Sequence, residues 1–201
     1  MSYQELTQFN SPNYTPESQV SAVYGMARSV EGVTYHWWGS NSDFMSIVNY
    51  LCRANGNTSA HTVGEAGRVA WIIDAVNAAW HAGNARGNAT TVGYECNTRL
   101  SDSDYETMGE FHYDMEKAYG RRLNIYVHKE WFNTSCSPID KNRIRAIADR
   151  YHTGGGSRPI VNETQIREVF RSILGREVDP EGLRHYLAQA AKGWSIDQIR
   201  A

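Results

Sequence analysis

Thr153-Gly154-Gly155-Gly156-Ser157-Arg158-Pro159 divides the chain. Three successive glycines lose so much backbone freedom on ordering that neither a helix nor a strand runs through them at ordinary cost, and Pro159 stiffens the exit. A domain boundary is expected there, with a short second unit that folds alone, docks on the first, or oligomerises. Residues 1–152 suffice for one well-packed domain, whereas residues 160–201 are marginal for independent folding. The short unit reads as helical. Apolar spacing predicts a helix over Glu163 to Leu174, Asp179-Pro180 are N-cap and N1 of a second to Ala191, and Ser195-Ile196-Asp197-Gln198 is a capping box opening a third. Its six basic and six acidic residues leave it neutral.

Before the linker the hydrophobic period switches repeatedly between strand and helix. Val33 to Trp37 is strand-like. Ser42 or Asp43 then caps a helix with Phe44, Ile47, Val48 and Leu51 on one stripe, stopped at Asn55-Gly56-Asn57. Ala60 to Val63 and Val69 to Ile73 read as a hairpin around Gly64-Glu65-Ala66-Gly67. Ala78 through Ala89 reads as loop, and Thr91 to Cys96 as the next strand. Ser101 to Asp104 caps a helix reaching Tyr119, with Tyr105, Met108, Phe111, Met115 and Ala118 on one stripe. A strand over Leu123 to Val127 and a helix from Asp140 to Tyr151 complete the domain. Residues 1–29 have no clear period and read as an arm wrapped over it. Such alternation predicts an α/β fold, a central mixed β-sheet flanked by helices, followed by a small all-α module.

Bulk properties exclude two classes of partner. A formal net charge of −2 lacks the basic surplus that phosphate binding needs, so nucleic acid is not expected. No apolar run is long enough to span a bilayer, so membrane insertion is not expected either. The first residues show no Sec-type signal. Three cysteines are too few for a disulfide framework and read as reduced thiols, with Cys52 and Cys96 packing in the interior.

Cys136 differs because of its company. Val127-His128-Lys129-Glu130-Trp131-Phe132-Asn133-Thr134-Ser135-Cys136 sets an imidazole and a thiol, both ligand types that Zn²⁺ prefers, close behind a strand. Two ligands do not hold a metal, and a third must come from elsewhere. The best candidate is His36, near the end of the strand-like run Gly32 to Gly39. Three protein ligands leave a fourth tetrahedral position for water, the mark of a catalytic rather than a structural zinc.

Five stretches occur in one order: Thr34-Tyr35-His36-Trp37-Trp38-Gly39, Thr58-Ser59-Ala60-His61, Ala79-Trp80-His81-Ala82-Gly83-Asn84, Val92-Gly93-Tyr94-Glu95-Cys96, and Val127-His128 to Cys136. This ordered set resembles the zinc-dependent N-acetylmuramoyl-L-alanine amidases that include bacteriophage lysins and peptidoglycan recognition proteins, most of all endolysins of phages infecting actinobacteria. The resemblance covers roughly residues 8 to 150. It implies Zn²⁺ as cofactor, bacterial peptidoglycan as partner and, as substrate, the amide between N-acetylmuramic acid and the first L-alanine of the stem peptide. Position by position, it implies that His36, His128 and Cys136 are metal ligands, that Glu95 is the catalytic acid/base and that Thr134 steadies the oxyanion. His61 would contact substrate or support the metal shell, and His81 would line the substrate groove. Trp38 and Trp80 are expected beside them as sugar-stacking or cleft-framing aromatics, and Trp37 in the core. His112, His152 and His185 read as surface or packing residues.

The resemblance further implies a monomer made in a host cytoplasm and released to the wall through a holin. Two departures bear on the cleft: Thr62 stands where many relatives have tyrosine, and Ser137-Pro138-Ile139-Asp140 where many have Pro-Gly-Asn-Trp. Two rival readings share the fold, a non-catalytic peptidoglycan-binding module and a virion protein in which zinc is purely structural. Glu95 discriminates between them and an enzyme. In residues 160–201 the Leu-Gly-Arg, Asp-Pro and Gly-Leu signature resembles a short helical repeat of unassigned function, and its place behind the linker suggests cell-wall targeting.

Overall fold

A computed structural model describes residues 3–136, 138–154, 161, 163–191 and 199. Among these residues, eight strands are β1 (Gln4–Leu6), β2 (Tyr14–Thr15), β3 (Gly32–Trp37), β4 (Thr62–Glu65), β5 (Arg68–Trp71), β6 (Ala78–Ala79), β7 (Thr91–Cys96) and β8 (Asn124–Val127). Among the same described residues, the α-helices are α1 (Glu17–Tyr24), α2 (Phe44–Cys52), α3 (Ala85–Thr90), α4 (Asp102–Tyr119), α5 (Lys141–His152), α6 (Glu163–Leu174) and α7 (Pro180–Ala191). Six strands form one sheet in the order β1-β5-β4-β7-β3-β8, and β2 pairs with β6 in a separate ribbon. Within the sheet β4, β7, β3 and β8 are parallel, while β5 runs antiparallel to β4. The mixed sheet flanked by helices is the architecture expected.

Period-two alternation in the two central strands sorts their side chains onto opposite faces. Val33 and Tyr35 of β3, and Val92, Tyr94 and Cys96 of β7, join Met108, Phe111, Met115 and Ile144 of α4 and α5 in the main core, with Trp37 packed against it. The opposite face carries Thr34 and His36 of β3 and Thr91, Gly93 and Glu95 of β7, paired in register as Thr34 with Gly93 and His36 with Glu95. Part of that opposite side is covered by α2, whose Phe44, Ile47, Val48 and Leu51 pack with Val63 and Ala70. The remainder, at the carboxyl ends of β3 and β7, is left for polar groups. Ligand sites of open α/β sheets form at such strand ends.

Helix starts follow the expected chemistry. Asp43 caps α2 through the Ser46 amide, and Ser101 with Asp104 makes a complete capping box on α4. Asp140 caps α5 by accepting from Asn142 and Arg143, and Ile139 beside it is buried, which gives two residues of the departure segment a structural task.

Three expectations need correction. Residues 1–29 are not merely an arm: Gln4–Leu6 adds the outermost sheet strand, parallel to β5, and Glu17–Tyr24 is helical. Helix α2 stops at Cys52, short of Gly56, and the left-handed residue that follows is Asn55. Ala85–Thr90, expected as loop, forms α3, held by Asn84 accepting from the amides of Arg86 and Gly87.

Beyond the linker, Val161, Ile166, Val169, Phe170, Val178, Ala190 and Ile199 form a cluster of their own around α6 and α7. The third tail helix expected from Ser195 lies outside the described residues. No helix among the described residues is long and apolar enough to cross a membrane.

Candidate metal centre and active site

His36 occupies the penultimate position of β3, so the strand that buries Tyr35 in the core delivers the imidazole to the opposite face. His128 follows directly on β8, the neighbour of β3, and opens a 3-10 turn over His128–Glu130. The two rings meet edge-on with centroids 4.5 Å apart. Cys136 returns from that turn to the end of β3, where its Sγ accepts the Trp37 amide N–H at 3.4 Å. One donor atom each from His36, His128 and Cys136 lies within 4.8 Å of the other two. Two imidazoles and a thiol at that spacing fit a tetrahedral zinc with one position left open. Among the described residues this is the sole such group of histidine, cysteine and acidic side chains.

Burial, reinforced by His81 and His128, holds His36 well below the ordinary histidine range. Burial also lowers His128, against a hydrogen bond from its ring to the Ala82 backbone. Both rings are therefore kept neutral, the form that ligates a metal. Burial raises the Cys136 thiol, opposed by the Trp37 amide and reinforced by the Glu95 carboxylate.

Glu95 faces His36 across the β3–β7 pairing. Its Oε2 is buried with no hydrogen-bond partner, and desolvation pushes the carboxyl up to about 7. A carboxyl in that range, beside a candidate metal, is a strong acid/base candidate. Thr134 is half-buried and its Oγ1 accepts the Cys136 amide at 3.1 Å, which leaves the hydroxyl hydrogen free to donate.

The residues expected to bind substrate divide differently. His61 is fully buried; its Nδ1 accepts the Gly93 amide at 2.9 Å and its Nε2 lies 3.1 Å from the Asn77 carbonyl. With both nitrogens engaged inside the fold, it has none to offer a substrate. His81 is also buried and bonds His36, Nδ1 to Nε2, at 3.0 Å, so it stands behind the candidate metal ligand rather than lining a groove. The Trp80 indole N–H donates to Thr15 Oγ1 at 3.0 Å, tying this loop to the N-terminal segment. Trp38 is half-buried against the α2 cluster with its Nε1 unpartnered. The exposed aromatic beside His128 is instead Phe132, 54% accessible, over Gly83 and 6.4 Å from the His128 ring.

Sequence reasoning missed the support around these groups. Asn88 Oδ1 accepts both the His81 amide at 3.1 Å and the Ala82 amide at 2.8 Å, so α3 clamps the loop behind the site. Trp131 donates its indole N–H to Thr34 Oγ1 at 2.9 Å, anchoring the turn that carries His128 to β3. Arg28 bonds the carbonyls of Ala75, Asn88, Ala89 and Thr91, joining the segment before β3 to the carboxyl end of α3 and to the loop at Ala75. The available signal was period two: Thr34 and Thr91 share the face of His36 and Glu95.

A mixed α/β sheet that presents two imidazoles, a thiol and a buried carboxylate at its strand ends has the make-up of a metallohydrolase. The chain belongs to the N-acetylmuramoyl-L-alanine amidase family, whose model matches residues 26–140. Solved structures share the fold. The PlyG catalytic domain aligns at TM-score 0.58 and 15% identity over 76% of this chain and 95% of its own. N-acetylmuramoyl-L-alanine amidase LysC from Clostridium intestinale URNW aligns at 0.57 and 14%, over 73% of this chain and 97% of its own. A mutant endolysin from Bacillus subtilis aligns at 0.53 and 18%, over 77% and 99%. No curated protein sequence matches the chain.

Proposed function

We propose that this chain is a zinc-dependent peptidoglycan hydrolase that cleaves the amide between N-acetylmuramic acid and the L-alanine of the stem peptide, acting as a phage endolysin on the host wall. The observation that carries the reading is the position of Glu95: a carboxylate with a buried, unpartnered oxygen directly opposite His36. A structural zinc needs no such group, and a binding module gains nothing from an acid pushed up to about 7. The family membership and the endolysin neighbours support the same substrate class.

His36, His128 and Cys136 would hold the zinc, which when bound supplies Lewis acidity to the amide carbonyl and to the attacking water. Glu95 takes a proton from that water during attack and delivers it to the departing alanine nitrogen, because an amine leaves only when protonated. Its unpartnered Oε2 gives the carboxylate an oxygen free for this exchange. The Thr134 hydroxyl donates to the developing oxyanion. Phe132 offers an exposed ring face for the sugar beside the scissile bond.

The test is direct. Purified protein is incubated with peptidoglycan, with and without a chelator, and the products are searched by mass spectrometry for new free L-alanine amino termini. Release that the chelator abolishes is the expected result. No release with zinc present refutes the proposal.

A further inference from the structure

The hydrogen-bond directions behind His36 can be worked out from two groups that have no choice. The Trp131 indole N–H only donates, here to Thr34 Oγ1 at 2.9 Å. The Gly87 carbonyl only accepts, and it lies 2.7 Å from Thr91 Oγ1. Two oxygens that close repel unless a hydrogen lies between them, so the Thr91 hydroxyl spends its one hydrogen on Gly87. Thr91 Oγ1 must then accept from its other neighbours, Thr34 Oγ1 at 2.8 Å and His81 Nε2 at 3.4 Å. A proton on Nε2 leaves the Nδ1 of a neutral His81 bare. That bare nitrogen lies 3.0 Å from His36 Nε2, which must therefore be the protonated nitrogen of His36. What remains on His36 is an unprotonated Nδ1, the lone pair that a metal takes.

We propose that His81 is a positioning residue for the metal centre: through Thr91 and Gly87 it holds His36 in the tautomer whose Nδ1 is free for zinc. This rests on the reading of His36 as a metal ligand. The neutral imidazole is the form that ligates a metal, and the tautomers assigned above are those of that form. Two glycines make the arrangement sterically possible. A Cβ on Gly93 would lie 2.6 Å from the His81 ring, and one on Gly87 would lie 2.5 Å from Ala82 Cβ and 3.0 Å from the Trp131 ring. The adjacent residue serves the second histidine, because the Ala82 backbone accepts from the His128 ring. Residues 81 and 82, both clamped by Asn88, thus orient both imidazole ligands.

Imidazole nitrogen NMR on the metal-free full chain tests the tautomer without any substitution. The expected spectrum shows His36 protonated on Nε2; a proton on Nδ1 overturns the proposal. Zinc affinity, measured by chelator competition, tests the consequence. His81→Phe should weaken binding about 10- to 100-fold, the range usual for loss of a partner behind a metal histidine. His81→Gln, whose amide oxygen can accept the same hydrogen bond, should recover most of that. Wild-type affinity in a folded His81→Phe chain sinks the idea, and the spectrum decides the question if that variant does not fold. Neither readout involves substrate, so an inactive chain with the expected tautomer would refute the amidase reading and leave this inference standing.

Discussion

Glu95 and His36 are register partners on adjacent parallel strands, so the candidate acid/base and the first candidate metal histidine are separated by a single strand spacing. Each is set by the sheet rather than by a loop, which makes their relative position one of the stiffest features of the site.

Glu95→Gln is nearly isosteric and removes only the proton-transfer capacity. We expect turnover on peptidoglycan to fall about 10²- to 10⁴-fold, the usual worth of a general acid/base, with bound zinc unchanged. Metal content by atomic emission, measured beside product release, checks both halves. Retained turnover would refute the role.

Cys136→Ala should abolish tight zinc binding and, with it, the stabilisation that any ligand of the native state confers. Cys136 lies 99 residues from the Trp37 amide it accepts from. A zinc ion bridging His36 and Cys136 would close a loop as long as those that disulfides close with gains of roughly 4 kcal/mol. Thermal unfolding should thus shift upward with zinc in the wild type and stay unchanged in the variant. An equal shift in both would assign the bound ion to another place.

Glu116 is expected to contribute to the acid limb of stability. Burial alone would raise its carboxyl, but hydrogen bonds from His112, Arg145, the Leu123 amide and His152 outweigh it and hold the group far below the usual range. The depressed folded value means that its stabilisation is complete above the ordinary glutamate range, near pH 4.5, and is lost as the pH falls towards the folded value. Glu116→Gln should cost about 3 kcal/mol at neutral pH, because it strips a buried acceptor from Arg145 and His152, and should flatten the acid limb of stability. Denaturant melts at pH 7 and pH 3 measure both. An unflattened limb would place the acid sensitivity in other carboxylates.

Gly93→Ala is a one-methyl change in a central strand with a predictable victim. Its Cβ would press on the His81 ring at 2.6 Å, so the ring or β7 must shift. Overpacking of this kind costs about 1–3 kcal/mol. Zinc affinity should drop along with stability, whereas Gly25→Ala, on a remote helix end with open space around it, should leave zinc affinity unchanged.

For residues 160–201 we propose wall targeting, supported by a hydrophobic cluster that is their own. Deleting them should leave the melting of the amidase domain within a few degrees of the full chain and reduce its sedimentation with cell walls. Equal sedimentation of both would end the idea.

What could be read from the residues follows a physical line. Strand β3 and helix α4 carry strong periods and explicit caps, so local chemistry was enough to place them. Helix α3 carries neither: Ala-Arg-Gly-Asn-Ala-Thr has no apolar stripe, and the segment is helical because Asn84 caps it and its buried side packs behind the site. Strand β1 likewise has no pattern of its own and exists through pairing with β5, distant in sequence. In the site, the ligand types and their order were visible, because His, Cys and Glu announce their chemistry. Asn88, Thr91 and Arg28 were not, because an amide, a hydroxyl and a guanidinium acquire meaning only from partners that folding brings to them. His61 and His81, expected at the substrate groove, show the same limit, because where a histidine spends its nitrogens is decided by partners that folding brings to it.

The outermost strand has one more effect. Gln4–Leu6 occupies the hydrogen-bonding side of β5, whose Val69 and Ala70 are fully buried. Without that short cover, β5 would present a bare apolar rim to any passing extended chain, the usual template for intermolecular pairing. Trimming the first six residues should therefore cost solubility before it costs catalysis, so a tag or fusion is better joined outside this strand than in place of it.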